Sequence, residues 1–132
     1  MVIFKLTLLL FNSLFQPIMN ILIRLFITAL VAYGLSTVLS GVHIPEFTTA
    51  LILALVLALL NTFLKPILVI LTFPITLITL GLFLFVINAL IILLADKFMD
   101  GIKIDGFWWA LLFSLLLSIV SSFAQSLFSK KE

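Results

Sequence analysis

No cysteine occurs among the chain's 132 residues, which excludes disulfides, thiolate metal sites and thiol catalysis. Charge is nearly as scarce: Asp, Glu, Lys and Arg make up 9% of the chain, against 65% hydrophobic residues. A soluble domain is nearer half apolar and a quarter charged, so too few polar residues remain here to cover an apolar core. The excess is that of an integral membrane protein. A formal net charge of +2, scattered along the chain, gives no footing for a nucleic-acid partner. No acid, histidine or arginine falls in the middle of a long apolar run, which argues against a proton relay or an ion-coupled transporter. No nucleophile–base pair and no phosphate loop can be assembled. The chain therefore reads as not an enzyme, with no cofactor, no metal and no small-molecule substrate identified.

What is present is hydrophobic length. A spanning helix needs about 20 mainly apolar residues, and four stretches qualify: Ile21–Ser40, Phe47–Leu64, Leu82–Asp96 extended backwards, and Phe107–Phe128. The polar breaks "GVHIPE" (41–46) and "DKFMDGIKIDG" (96–106) separate them. Arg24, Lys65, Lys130 and Lys131 then fall on one side, Lys97 and Lys103 on the other. The excess of Lys and Arg on the first side puts both termini of this multi-pass membrane protein in the cytoplasm. Trp108 and Trp109 open the last span where an outer aromatic belt would lie. Residues 1–18 are apolar but short, interrupted by Asn12, Ser13, Gln16 and Pro17. They are expected to form a peripheral N-terminal extension that the fold does not need, and 129–132 a cytoplasmic tail.

Residues 41–63 lie over 101–123 without a gap: Gly41 over Gly101, Ile44 over Ile104, Phe47 over Phe107, Ala50 over Ala110. Ala54 and Ala58 fall over Ser114 and Ser118, and "ITAL" (27–30) over "INAL" (87–90). Leucine matches prove little in this composition, but small-residue matches carry more weight. The fold class is thus all-α: a four-helix transmembrane domain over 19–128, made of two tandem helical hairpins, 20–64 and 80–124. Both hairpins run in the same direction, related by a pseudo-twofold along the membrane normal. Residues 65–79 form a proline-broken linker between them. Pro66 suits the first turn of a new helix, and Pro74 disfavours helix at Phe73. We expect a half-helix near 66–72, a break at Phe73–Pro74, and a long tilted third span from about 75. Lys65, Pro66, Pro74 and Gly81 are the linker and hinge residues.

Candidate functional residues are small or weakly polar. Ala50, Ala54, Ala58 and Thr62 form one stripe at helical spacing; Ala110, Ser114, Ser118, Ser121 and Gln125 form another. Such stripes let helix backbones approach closely, or they wall an aqueous path. Thr28 and Asn88 are repeat equivalents and, with Asn61 and Ser121, reach a similar depth. They form either a hydrogen-bonded knot or a polar vestibule opening towards Thr72, Thr76 and Thr79. Asp96, Asp100 and Asp105 match no calcium-loop spacing, and His43, followed by Glu46, reads as interfacial rather than as a metal ligand. The two loops that carry these residues are expected to lie side by side.

The stretch "NTFLKPILVILTFPITLITLG" (Asn61–Gly81), with its NxxLKP and FPITxxTxG elements, resembles bacterial four-helix phage holin proteins of superfamily IV type. The resemblance covers about 19–128. Chains of that family begin with a stretch like "MNILIRLFITAL", here from Met19, and residues 1–18 depart from the pattern. The resemblance implies an inner-membrane protein that oligomerises and permeabilises the bilayer, and it assigns no catalytic residue. The partners it implies are the lipid bilayer and a homo-oligomer or other membrane proteins. A non-lytic structural or envelope-stress accessory protein is the alternative reading, and a small channel or transporter subunit the third.

Overall fold

The computed structural model describes residues 1–130, with side chains through Phe128. The first helix, α1, runs without interruption from Val2 to Val38, about 55 Å at 1.5 Å per residue. A separate segment is expected over 1–18, yet the helix continues through Pro17. Proline removes one backbone donor and crowds the preceding turn. Breaking the helix outright would strand several more backbone groups among apolar side chains, which is the worse outcome in lipid. The few hydroxyls in this stretch turn back on the helix: Thr7 Oγ1 donates to the Ile3 carbonyl (2.8 Å) and Ser13 Oγ to that of Leu10 (3.0 Å). Only Ile27, Ala29 and Ala32 of α1 are fully buried, so its first half stands clear of the rest of the molecule.

After strand β1 (Val42–His43) comes α2 (Phe47–Leu59), then a π-helical turn (Leu60–Leu64) and α3 (Lys65–Leu71). Together these form one apolar helix of 25 residues, Phe47–Leu71. A new helix is expected to begin at Pro66, but the existing one runs through it. The π turn explains how. Lys65 N–H bonds to the Leu60 carbonyl, five residues back, and this slip of register moves the carbonyl that the Pro66 ring would otherwise strike. The break comes instead at Thr72, whose φ of −101° and ψ of 13° leave the helix. Pro74 sits in the first turn of α4 (Phe73–Ile78), where its missing N–H is harmless. The expected long third span from 75 is also corrected. A turn at residues 79–82 separates α4 from α5 (Phe83–Phe98), with Leu80 and Gly81 both at positive φ.

Strand β2 (Lys103–Ile104) and α6 (Phe107–Lys130) complete the chain. The expected tail over 129–132 is helical as far as Lys130, and its last two residues lie outside the described residues. Among the described residues, three helices are long and apolar enough to cross a bilayer: Val2–Val38, Phe47–Leu71 and Phe107–Phe128. The fourth, α5, has 16 residues.

The helices pack as a ring, α1 on α2, α2 on α5, α5 on α6 and α6 on α1. At one end, hereafter the hairpin end, β1 and β2 pair antiparallel with Val42 opposite Ile104 and His43 opposite Lys103. His43 and Lys103 are repeat equivalents. Two equivalent residues can face each other only on a twofold axis, so the duplicated hairpins are related as the sequence repeat requires. The core repeats as well: Ile27 with Ile87, Ala29 with Ala89, Ala50 with Ala110, Leu53 with Phe113 and Leu57 with Leu117 are all buried. Even the tightest contacts come in pairs. Gly41 lies against the Trp109 ring and Gly101 against Thr49, again equivalents across the axis.

Candidate functional site

At the opposite end of the bundle, where α1 enters and α6 leaves, the ring is not filled. A cavity of about 620 Å³ opens between α1, α2 and α6. Ala54 and Ala58 of the small-residue stripe on α2 line it, each offering only one methyl group. Arg24 and Thr28 reach it from successive turns of α1, Asn61 and Thr62 from the π turn, and Ser118, Ser121, Ser122 and Gln125 from α6. Spacings of three and four residues put the α1 pair and the α6 set each on one helix face. The π turn matters here too, because it sets the direction in which Asn61 and Thr62 point.

Three of the four residues assigned to a polar axis, Thr28, Asn61 and Ser121, thus line one cavity from three different elements, and Ser118 lines it with them. Asn88 does not. The twofold that relates it to Thr28 carries it to the far side of the bundle, where α3 and α4 pack on α5. Ser114 is buried above the cavity, its Oγ donating to the Leu111 carbonyl (2.9 Å). Ser121 is equally buried, but its Oγ has no partner. The linker threonines do not line the cavity. Thr72, Thr76 and Thr79 donate to the carbonyls of Leu68, Thr72 and Ile75 at 2.7–3.0 Å, the usual way a hydroxyl is satisfied on an apolar helix. Of the hinge residues, Lys65 is half-buried at the end of the π turn, Pro66 and Pro74 are exposed, and Gly81 adopts φ 91°.

The hairpin end holds a second cleft, about 440 Å³, bordered by Tyr33, Ser36, Thr37, His43, Asp100 and Lys103. The two loops lie side by side as expected, and this brings His43 Nε2 to 2.9 Å from Asp105 Oδ2. Both side chains are largely exposed, so the contact adds little stability. Sequence reasoning missed it, although the repeat places His43 opposite Lys103 and hence near Asp105. Asp96 is structural: its Oδ2 accepts the Ile104 N–H (3.3 Å) and ties α5 to β2.

The arrangement is a duplicated hairpin bundle with an off-axis polar cavity lined from α1, the π turn and α6. A family model described as "Mycobacterial 4 TMS phage holin, superfamily IV" matches residues 19–123. The chain belongs to this family. It is a multi-pass membrane protein, and α5 is its fourth transmembrane helix. The uncharacterised membrane protein YvlD of Bacillus subtilis (strain 168) is 39% identical over 98 residues, 74% of this chain and 82% of that protein. The uncharacterised protein SCO3922 of Streptomyces coelicolor (strain ATCC BAA-471 / A3(2) / M145) is 49% identical over 77 residues, 55% of this chain and 62% of that one. No solved structure matches. The holin-family match begins at Met19, so the free-standing first half of α1 lies outside it. All the cavity residues except Gln125 lie within.

Proposed function

We propose that this holin-family chain acts through self-assembly in the bacterial cytoplasmic membrane, and that it permeabilises the bilayer only as an assembly of copies. One observation carries the reading. The bundle axis is closed, with Leu53 and Phe113 fully buried at its middle and Val42, Ile44, Ile102 and Ile104 sealing the hairpin end. A solute path would therefore have to run between copies. The outward faces, apolar along most of their length, supply no hydrophobic drive for association in lipid; close packing of small residues would supply it instead. We place both termini in the cytoplasm, on the strength of Arg24, Lys65 and Lys130 against Lys97 and Lys103.

A second reading, a non-lytic accessory protein that works by packing against membrane partners, is favoured by where polarity stops. On α6 the polar stripe ends at Ser114, whose hydroxyl is already satisfied, and Ala110 follows. A channel subunit built on a Thr28–Asn88 axis fits poorly, since those residues stand on opposite sides of the bundle.

Induced expression with a potential-sensitive dye, combined with cross-linking of intact membranes, tests the proposal. Oligomers should appear first and depolarisation follow abruptly above a threshold amount. Oligomers with an intact potential at high expression would leave the second reading standing. Failure to cross-link would remove self-assembly itself.

A further inference from the structure

The cavity between α1, α2 and α6 carries a cation, Arg24. Among the described residues Arg24 makes no ion pair, and no acidic side chain lines the cavity. Guanidinium stays charged under all physiological conditions, and its planar fork of donors fits the oxygens of a phosphate. Its depth is also telling. Arg24, Asn61 and Ser121 each lie about 21 Å from the hairpin end of their helices at 1.5 Å per residue. In a hydrocarbon layer about 30 Å thick that leaves about 9 Å to the far headgroup region, a distance that the long Arg24 side chain largely covers by snorkelling.

Ser121 supplies an independent observation. It is 7% exposed, lines the cavity, and its Oγ has no hydrogen-bond partner. Ser114, two turns away, satisfies itself on a carbonyl of its own helix. A buried hydroxyl left unpaired calls for a partner, and because this Oγ is sealed from the cavity as it stands, the side chain must turn about χ1 to meet one there. The same walls carry Ile21, Leu55, Leu59 and Phe63, all of them exposed. A soluble anion has no use for such surface, whereas an amphiphile does.

We infer that this cavity is the headgroup site of one anionic phospholipid, with Arg24 on the phosphate and Ser121, Asn61 and Gln125 on the remaining oxygens, the acyl chains leaving along the apolar wall. The lipid comes from the leaflet at the end where α1 enters and α6 leaves. The repeat does not reproduce the cation. Leu84 occupies the repeat position of Arg24, and α3 and α4 pack on α5 at the equivalent place. A monomer suffices, so the inference stands apart from any permeabilising activity.

Native mass spectrometry of the full chain tests it, after purification from mixed micelles holding equal phosphatidylglycerol and phosphatidylcholine. One lipid should remain bound, with phosphatidylglycerol preferred about tenfold, because phosphatidylcholine carries the same phosphate but would also bring its choline cation beside Arg24. Arg24→Gln should bring the preference to parity, Arg24→Lys should keep part of it, and Ser121→Leu should expel the lipid by filling the cavity. If Ser121→Leu fails to fold, Arg24→Gln decides alone, since it alters an exposed side chain. Parity in the unmodified chain, or an undiminished preference in Arg24→Gln, would overturn the site. Displacement of the lipid by millimolar inorganic phosphate would show a soluble-anion site and overturn the lipid assignment.

Discussion

A β-carbon at Gly41 would overlap the indole ring of Trp109, whereas one at Gly101 would stand 3.0 Å from Thr49 Cγ2. The two glycines are repeat equivalents, so the contrast arises entirely from what each faces. Neither has positive φ, and the effect of a methyl group is therefore steric rather than conformational. A rigid ring held between helices has little room to yield; a threonine methyl can shift by a few tenths of an ångström. We predict that Gly41→Ala destabilises the bundle by about 1–3 kcal/mol, the range for overpacking, and that Gly101→Ala costs clearly less. Adding Trp109→Thr to Gly41→Ala should recover most of the loss. Unfolding midpoints in detergent measure all three, and equal losses at the two glycines would contradict the account. At this scale the sequence is legible for pairs along the repeat but not across the axis. The alignment sets Gly41 over Gly101 without saying that Trp109 stands opposite. It likewise marks Ser121 as one of a stripe, and only the fold separates it from Ser114, which has a carbonyl to bond.

The end of α4 shows a rule of helix termination applied with an unusual residue. Gly81 N–H donates to the Thr76 carbonyl (2.8 Å) and Leu80 N–H to that of Leu77 (3.1 Å), the paired bonds of a Schellman motif with Leu80 at the left-handed position. Its φ is 57°, where glycine is normally found and where an L side chain crowds the following carbonyl by about 1–2 kcal/mol. Leu80 is also almost wholly exposed, so little packing would be lost with it. Leu80→Gly should therefore stabilise the α4–α5 turn by about 1 kcal/mol, less whatever glycine adds to the flexibility of the unfolded chain. Slower hydrogen exchange at residues 80 and 81 would register the gain, and faster exchange would refute it. The elements around this turn were the least legible. Pro17 and Pro66 each read as a helix boundary, yet the helix passes both, in the second case by slipping into a π turn. Proline rules describe a chain that can hand its freed carbonyls to water. Where a break would strand those groups among apolar side chains, register changes are the cheaper response. Pro74 behaves as the rule states because it begins a helix.

For the whole molecule, the duplication decides the topology more firmly than charge does. The pairing of β1 with β2 puts both hairpin tips at one end, so the two hairpins enter the bilayer in the same direction. This much was readable from an ungapped repeat, because repeated "GVHIPEF"-like and "GIKIDGF"-like loops must sit at the same level of two parallel hairpins. Which face of the membrane they occupy is a separate matter, resting on a small excess of Lys and Arg near the other end. With no native cysteine, single substitutions separate the two claims. Ser40→Cys and Asp100→Cys, both at exposed positions of the hairpin end, should react with an impermeant maleimide in intact cells. Ser126→Cys, exposed near the far end of α6, should react only after the membrane is opened. If all three patterns reverse, the repeat stands and the charge argument falls, carrying with it the assignment of the lipid site to the cytoplasmic leaflet. If Ser40→Cys and Asp100→Cys label from opposite sides, the twofold itself is wrong, because strands paired at one end of a bundle cannot face different compartments.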